Sequence, residues 1–290
     1  MIKNVGAIVA DFSALGVVSV DGKSASKFLQ GQITQDISQV SEDCGALGSY
    51  LTPKGRVIST FIILQIKPES YYLLMPKSII DIFIEKMSKY AIFSKIIIQD
   101  VSEKYQVIAQ WTSEQYTTWS VKPAKNKIIT VANTHMLLHL IDNTGYQSYK
   151  ENMRQTHTLV SEDIVQLTLI QARIPLIHPE NTEIFTIHDL GLDKLNAVNF
   201  KKGCYTGQEI VARMHYKAKL KHHLYLVKFE QILADNQIFI DNNDNEVGRV
   251  VHGSSNDNGY LALVWLRDEK THAEYLVTPE KQVYHFTVID

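Results

Sequence analysis

The chain has 290 residues, of which 45% are hydrophobic and 21% charged, and its formal net charge is −2. This composition is ordinary for a globular protein, and the near-neutral charge excludes a global field that would draw the chain to nucleic acid or membrane. The two cysteines, Cys44 and Cys204, make neither a disulfide framework nor the four thiolates of an iron–sulfur cluster, and no residues show zinc-site spacing.

Targeting signals are missing from the sequence pattern. No apolar run reaches the ~18 residues that a membrane-spanning helix needs. The apolar stretch at residues 5–10 is interrupted by Asp11, and no cleavage pattern of small residues follows it. We therefore expect a cytoplasmic protein with no membrane partner.

Strand and helix patterns alternate along the first part of the chain. Strand patterns lie at residues 5–20 (two strands with a break), 57–66, 71–75, 95–101 and 105–110. Ser24 precedes a short predicted helix that runs to Gly31, with Phe28 and Leu29 inward. A second helix is predicted after Pro76 from an apolar stripe at helical spacing, which consists of Ile79, Ile80, Phe83, Ile84 and Met87. This mixture predicts an α+β domain.

The middle of the chain is less regular. Residues 111–127 are polar, contain Trp111, Trp119 and Pro123, and predict a linker or an excursion. Residues 128–141 resume a strand pattern. Ser161 is expected to cap a helix over 162–172, whose predicted apolar face comprises Ile164, Leu167, Thr168 and Gln171. Residues 180–200 are expected to form loops.

From about residue 216 the pattern changes to short strands separated by turn clusters such as 241–245. The six strand candidates are 222–229, 237–240, 246–252, 260–266, 274–278 and 282–288. Even spacing of short strands predicts a small β-barrel or sandwich. The chain is therefore expected to divide into residues 1–215 and a C-terminal β-domain, residues 216–290.

Basic residues concentrate in segment 201–223. Lys217, Lys219 and Lys221 alternate there, so on a strand they would share one face. Two interpretations remain open, a solvated edge strand and a basic patch for an anionic ligand.

The run Lys201–Glu209, KKGCYTGQE, carries the strongest functional signal. Glycines on both sides of Cys204 allow backbone angles closed to other residues, and the two lysines favour the reactive thiolate, which Glu209 opposes. The alternative is a loop that holds a buried, inert cysteine. The whole run favours a functional site.

This run resembles the signature of the YgfZ family, which is similar to the folate-binding T-protein, the aminomethyltransferase of the glycine cleavage system. Further segments resemble the same family in the same order along the chain, and they are 28–37 (FLQGQITQDI), 50–56 (YLTPKGR), 91–95 (AIFSK), 211–213 (VAR), 248–250 (GRV) and 261–264 (LALV). The resemblance covers nearly the whole chain.

The resemblance implies a fold and a function. The fold is a GcvT-like ring of small domains, with two interleaved ferredoxin-like α/β subdomains around a folate pocket and a C-terminal β-barrel. The function is that of an accessory protein that binds tetrahydrofolate or a derivative and supports assembly or repair of iron–sulfur enzymes, including tRNA-thiomethylating ones. These enzymes would be its clients, and direct nucleic-acid binding is not expected.

The resemblance also implies roles for individual residues. Cys204 would face the central pocket as a reactive or transient ligand thiol, and Lys202 would tune it. Amide, carboxylate and cationic side chains suit the pterin ring and the glutamate tail of folate. The expected folate-binding residues are Gln32, Tyr50, Lys54, Arg56, Gly203, Tyr205, Gly207, Gln208, Glu209 and Arg213. Because residues 1–110 contain no tryptophan, Phe12 or Tyr50 is expected to stack on the ligand.

Two alternatives stay open, and whether the chain is an enzyme is undecided. The first is a folate-dependent aminomethyl (one-carbon) transferase. Residues 56–61 lack the carboxylate such enzymes use for the amine, and losing a general base lowers the rate roughly 10²–10⁴-fold. The second is a tRNA-binding module built on segment 201–223. Cys44 follows two acidic residues and is expected to be unreactive, and His178 and His188 are candidates for the pocket wall.

Overall fold

The computed structural model describes residues 7–114, 116–122, 126–131, 134–217, 219–256 and 259–289. Its β-structure forms a five-stranded sheet, a six-stranded sheet and a closed barrel. The α+β fold with a C-terminal barrel is therefore confirmed. Pro123, which contributed to the linker prediction, lies outside the described residues.

The five-stranded sheet comes from the first hundred residues. Its strands are β2 (Leu15–Asp21), β3 (Ala46–Leu51), β4 (Val57–Lys67), β5 (Ser70–Pro76) and β6 (Ile97–Asp100), in the order β3-β4-β5-β2-β6 and all antiparallel. Helices α1 (Ala25–Gln32) and α2 (Ile80–Ala91) pack their apolar residues into the same core cluster as one face of this sheet. The β4–β5 hairpin and both helices match the sequence predictions.

The six-stranded sheet combines the N-terminal strand with the middle of the chain. Its strands are β1 (Ile8–Asp11), β7 (Tyr105–Trp111), β8 (Val121–Lys122), β9 (Lys127–Thr130), β10 (Met136–Asp142) and β11 (Thr158–Leu159), in the order β11-β1-β7-β10-β9-β8. Of the two interpretations of residues 111–127, the linker is wrong, because Trp111 and Trp119 are 4% and 8% exposed within the main core and β8 belongs to the sheet. An excursion within the domain fits the described residues of this segment.

Two helices differ from the sequence predictions. Helix α3 (Asn143–Thr156) was not predicted because it has no fully buried residue, and only Tyr146, Tyr149 and Met153 pack against a core cluster. Helix α4 (Asp163–Gln171) was expected, and its predicted face is right for Ile164 and Leu167, which pack into the main core, but wrong for Gln171. The buried side chains are Val165, Leu167, Leu169 and Ile170, whereas Gln171 is exposed.

The C-terminal barrel closes in the order β12-β15-β14-β13-β16-β17. Its strands are β12 (His222–Phe229), β13 (Ile238–Ile240), β14 (Glu246–Asn256), β15 (Gly259–Arg267), β16 (Tyr275–Val277) and β17 (Val283–Ile289), as the turn spacing predicted. Helix α5 (Gln208–Lys217) precedes the barrel. Since α5 reaches Lys217 and β12 begins at His222, the three lysines Lys217, Lys219 and Lys221 do not lie on a strand. The edge-strand interpretation is therefore wrong, and the basic patch stays a prediction. The side chain of Lys217 is not described.

One large core cluster joins these parts. It contains residues from both sheets, from α4, and from the outer surface of the barrel, such as Leu224 and Val251. A separate cluster, with Phe229 and Phe239 among its members, fills the barrel itself. Among the described residues, no helix is both long enough and apolar enough to cross a membrane.

Candidate functional site

The cysteine motif is fixed against the end of α1. The Thr206 amide donates to the Gly31 carbonyl at 3.1 Å, and its hydroxyl donates to Gln32 Oε1 at 3.3 Å. Upstream, the Asn199 amide donates to the Thr34 carbonyl at 3.0 Å. The QGQ segment and the KKGCYTGQE run, distant in sequence, thus lie side by side.

Lys202 anchors this junction from inside. Its ammonium donates to the Ile33 and Gln35 carbonyls at 2.8 and 2.7 Å and lies 5.1 Å from the centre of the Tyr205 ring. The residue is 8% exposed. Burial lowers the pKa of Lys202 to about 8, against the opposing effect of the Asp36 carboxylate. These bonds give Lys202 a structural role, and its tuning of Cys204 stays a prediction.

Cys204 is presented to solvent between two buried neighbours. Lys202 and Tyr205 are 8% and 7% exposed, whereas Gly203 and Cys204 are exposed. The alternative of a buried cysteine is therefore wrong. Cys44 is also an exposed free thiol. The motif holds its anchors in the core and leaves the sulfur accessible to a partner molecule.

The LTPKGR turn meets the motif through two glycines. Gly207, at φ +82°, lies against the Thr52 carbonyl and Gly55, and Gly55, at φ +73°, lies against Ile210 of α5. The turn is closed by a bond of 2.9 Å from the Gly55 amide to the Thr52 carbonyl. Three of the segments that carry the family resemblance, 28–37, 50–56 and 201–209, therefore converge in space.

A cavity of about 500 Å³ opens beside this turn, between it and α2. We call it the LTPKGR cavity. Its lining residues are Tyr50, Leu51, Thr52, Pro53, Lys54, Arg56, Ile58, Lys86, Lys89, Tyr90 and Glu183. Four of these described residues are cationic and one is a carboxylate, so the cavity favours an anionic ligand.

Ion pairs already engage part of this charge. Lys86 pairs with Glu183, and Lys89 pairs with Glu85 at 3.0 Å. The Arg56 guanidinium donates to the Ile184 carbonyl at 2.5 Å and lies 3.9 Å from Asp189. Because the Lys86–Glu183 and Lys89–Glu85 pairs are solvent-accessible, they are weak and can rearrange when an anion enters.

The predicted folate-binding residues fall into two groups. Tyr50, Lys54 and Arg56 line the cavity. Gln32, Gly203, Tyr205 and Gly207 belong to the motif junction, with Gln208 and Glu209 in the first turn of α5 and Arg213 exposed further along it. Among the described lining residues Cys204 does not occur, so the thiol lies outside the cavity, and the motif meets the Thr52–Gly55 turn through Gly207.

Sequence reasoning missed the α2 side of the cavity. Lys86, Lys89 and Tyr90 lie on the polar face of a helix that was judged by its apolar stripe alone. Tyr90 is 42% exposed, whereas Tyr50 is 2% exposed and packs edge-on against Phe83 at 5.7 Å between ring centres. Tyr90 is therefore better placed than Tyr50 to stack on a ligand.

The space between the two sheets offers little room for a ligand. The interior cavity there measures about 10 Å³, roughly what one water molecule needs, and it is lined by apolar residues that include Phe12 and Trp119. Phe12 is 1% exposed, so it does not offer a free face for stacking. Of these two cavities, the LTPKGR cavity alone has the volume for a folate.

Strand β4 supplies hydroxyl groups rather than carboxylates after the glycine turn. Thr60 Oγ1 donates to the Pro175 carbonyl at 2.7 Å, and Ser59 Oγ is buried without a hydrogen-bond partner among the described residues. The two candidate histidines are not in the LTPKGR cavity. His188 packs near His215 of α5, and His178 stacks on His252 of the barrel.

Comparisons with known proteins agree with this architecture. The structure superposes on the glycine cleavage system aminomethyltransferase T from Bartonella henselae with a TM-score of 0.78 and 12% identity, covering 99% of this chain and 86% of that one. Residues 3–111 match the GCVT N-terminal domain model. The fold is therefore that of the aminomethyltransferase T class, here carrying an exposed cysteine motif.

Two curated relatives place the chain more closely. It is 30% identical over 226 residues to the tRNA-modifying protein YgfZ of Vibrio atlanticus, an alignment that covers 76% of this chain and 68% of that protein. It is 27% identical over 286 residues to the tRNA-modifying protein YgfZ of Photorhabdus laumondii, covering 92% and 86%. The chain belongs to the YgfZ family.

Proposed function

We propose that this chain is a tetrahydrofolate-binding accessory protein of tRNA modification. It supports the assembly or repair of iron–sulfur enzymes, including those that thiomethylate tRNA, and it acts through the Cys204 thiol. The observation that carries the proposal is the convergence of the exposed cysteine motif with the cationic LTPKGR cavity at one turn, Thr52–Gly55.

The chemistry of the cavity fits the two ends of a folate. The glutamate tail carries carboxylates, which Lys54, Arg56 and Lys89 can pair with in an exposed setting. The pterin ring is flat and aromatic, and Tyr90 offers a partly exposed ring on the cavity wall. A volume of about 500 Å³ lies within the usual range of small-molecule sites.

The thiol is suited to a partner of protein size. Cys204 is exposed, and its buried neighbours Lys202 and Tyr205 hold the backbone on both sides. A client enzyme could approach it without a change of fold, while folate occupies the LTPKGR cavity, which Cys204 does not line. This arrangement supports a coupling between folate binding and the state of the motif loop.

No structural observation favours the two alternative functions, which are an aminomethyl transferase and a tRNA-binding module. Aminomethyl transfer would need an acid–base group on β4, where the described residues 57–61 are apolar or carry hydroxyls. The tRNA-binding alternative rests on the basic segment 201–223 and the C-terminal β-domain, and the structure does not gather Lys217, Lys219 and Lys221 on one strand. The division of the chain at residues 215 and 216 stays a proposal, with α5 ending at Lys217 and the barrel beginning at His222.

Calorimetric titration with tetrahydrofolate and formyl-tetrahydrofolate, under anaerobic reducing conditions, tests the proposal. We expect saturable binding that weakens about 10-fold in the double variant Lys54→Ala/Lys89→Ala, because two exposed charge contacts are removed. Lys23→Ala, an exposed lysine outside the cavity, is the matched control. No binding at millimolar ligand contradicts the folate proposal, and unchanged binding in the double variant contradicts the cavity assignment.

A further inference from the structure

A run of tight turns brings two side chains towards α5. The His188 carbonyl accepts from the Gly191 amide at 3.1 Å, and the Asp193 carbonyl accepts from the Asn196 amide at 3.3 Å. Gly191, at φ +63°, allows the reversal between them. The segment therefore directs His188 and Asp193 towards His215 in the last turns of α5.

These three residues form a compact set of donors. One ring nitrogen from each histidine and one carboxylate oxygen of Asp193 all lie within 4.8 Å of one another. The three residues differ in solvent exposure, since His188 is buried at 4% exposure, Asp193 is half-buried and His215 is exposed. The group is therefore closed at His188, which we call its floor, and open to solvent at His215.

The floor of the set holds polar atoms that the protein does not satisfy. Within the described ranges, both ring nitrogens of His188 and Oδ1 of Asp193 are buried without a hydrogen-bond partner. Buried polar groups in native proteins are almost always paired, and each one left unpaired costs about 1–3 kcal/mol. Three such atoms at one place indicate that something outside the protein chain completes the site.

The surrounding described residues do not occupy the candidate ligand atoms of His188 and Asp193. The neighbouring Asp189 carboxylate is occupied by the Thr186 amide and hydroxyl at 2.8 and 2.7 Å and by Trp265 Nε1 at 3.0 Å. Phe200 stacks on the His215 ring at 3.9 Å between centres, which fixes the ring next to His188. His215 also lies near the C-terminus of α5, where the helix dipole favours a cation.

We propose that His188, Asp193 and His215 bind a divalent first-row transition-metal ion of the zinc and iron(II) class. Two imidazoles and a carboxylate are the ligands that these ions accept, whereas Mg²⁺ and Ca²⁺ prefer oxygen ligands throughout. Three protein ligands leave at least one coordination position, on the exposed side near His215, for water or a bound molecule. The proposal does not depend on folate binding or on Cys204.

A second group of the same composition is a weaker candidate. It comprises His178, Asp235 and His252. His252 is already bonded at both ring nitrogens, to Asp235 at 3.3 Å and to Gln166 at 2.9 Å, and His178 Nδ1 is bonded to Ser78 at 3.0 Å. In this group His178 Nε2 is buried without a partner among the described residues, against three such atoms in the first group, so it serves as the internal control.

Metal titration of the chelator-treated full chain tests the site. The probes are Co²⁺, followed by its visible absorption, and Zn²⁺, followed by calorimetry, with Mg²⁺ for comparison. All proteins carry Cys44→Ser and Cys204→Ser, because both exposed thiols can bind metal on their own. We expect one equivalent of Co²⁺ or Zn²⁺ per chain and no competition from Mg²⁺.

Two ligand variants and two control variants assign the site. Asp193→Asn, which keeps the side-chain shape, and His215→Ala, which changes an exposed residue, should each weaken binding at least ~10-fold. His272→Ala, another exposed histidine, should not change it. Equal affinity in the first three variants overturns the proposal, as does loss of binding in His178→Ala instead. Equal unfolding midpoints in denaturant show that the fold is kept.

Discussion

Gly207 lies so close to Thr52 that a Cβ atom at position 207 would stand 2.6 Å from the Thr52 carbonyl oxygen. The same Cβ would be 3.2 Å from the Cα atom of Gly55. Gly207 also has φ +82°, a region that side chains rarely adopt. The cysteine motif and the LTPKGR turn thus depend on each other for their shape.

Replacing Gly207 should therefore destabilise the protein. Gly207→Ala introduces a left-handed backbone strain and a contact with main-chain atoms that cannot rotate away. We expect a loss of about 2–4 kcal/mol in the free energy of unfolding. Denaturant unfolding followed by circular dichroism measures it.

Gly203→Ala is the matched control for this prediction. Gly203 lies four positions earlier in the same motif, and nothing stands within 4 Å of its Cβ position. Its substitution should change stability by no more than ~0.5 kcal/mol. Equal losses in the two variants would mean that the close approach of Gly207 to Thr52 does not limit the fold.

Lys202 should make stability rise with pH in the alkaline range. Its pKa is lowered by burial to about 8 in the folded protein, from 10.5. Between these values the unfolded chain binds more protons than the folded one, so the free energy of unfolding increases as pH rises through this window. The total rise in the free energy of unfolding is ~3 kcal/mol, and it is complete once Lys202 is neutral in both the folded and the unfolded chain.

Comparing Lys202→Met with wild type across this pH range isolates the effect. The variant should lack the alkaline rise, and it should also be less stable at neutral pH because the Ile33 and Gln35 carbonyls lose their donor. Lys201→Met, at the exposed neighbouring lysine, should keep the rise. A rise of the same size in Lys202→Met would contradict the assignment.

The sequence predicted those parts of the fold that have a strong local pattern. The six barrel strands and the β4–β5 hairpin follow from short apolar runs between turn residues. Helix α3 lacks such a pattern, because among the described residues its apolar contacts with the core come from Tyr146, Tyr149 and Met153 alone, and Lys150 adds an ion pair with Asp11 of β1. Helix α4 packs mainly on β14 and β15, and its buried residues Val165, Leu167, Leu169 and Ile170 do not follow the simple helical stripe that the sequence suggested.

The candidate site shows the same limit. The segments 28–37, 50–56 and 201–209 could be recognised from their sequences. The hydrogen bonds between Thr206 and the end of α1 could not, because they depend on the tertiary fold. Lys86 and Tyr90 line the cavity from helix α2, which was predicted from its apolar, core-facing residues alone. The donor set of His188, Asp193 and His215 has no local spacing that resembles a metal motif, because turns and a separate helix bring it together.

His139 should make the protein sensitive to acid. It is 3% exposed on β10, its Nδ1 is bonded to the Tyr149 hydroxyl at 2.7 Å, and Nε2 is buried without a partner among the described residues. Burial lowers its pKa from 6.5 to about 4. Between these values the unfolded chain binds more protons, so stability falls as pH falls from 6.5 to 4, by up to ~3 kcal/mol.

His139→Asn tests this effect, because the amide keeps a polar atom near the Tyr149 hydroxyl but does not titrate. The variant should lose much less stability than wild type between pH 6.5 and 4. His272→Asn, at an exposed position, should retain the acid loss of wild type. If His139→Asn keeps the full loss, another group is responsible for it.

Cys204→Ser should remove biological function while leaving the fold unchanged. The side chain is exposed, so its replacement by a hydroxyl disturbs no packing, but a hydroxyl is neither a thiolate nucleophile nor a soft metal ligand. Complementation of a strain that lacks its own YgfZ family member, with thiomethylated tRNA content and iron–sulfur enzyme activity as readouts, should give the level of an empty vector. Cys44→Ser, the other exposed thiol, should complement as wild type does. Full complementation by Cys204→Ser would exclude the thiol from the mechanism, even if folate binding is confirmed.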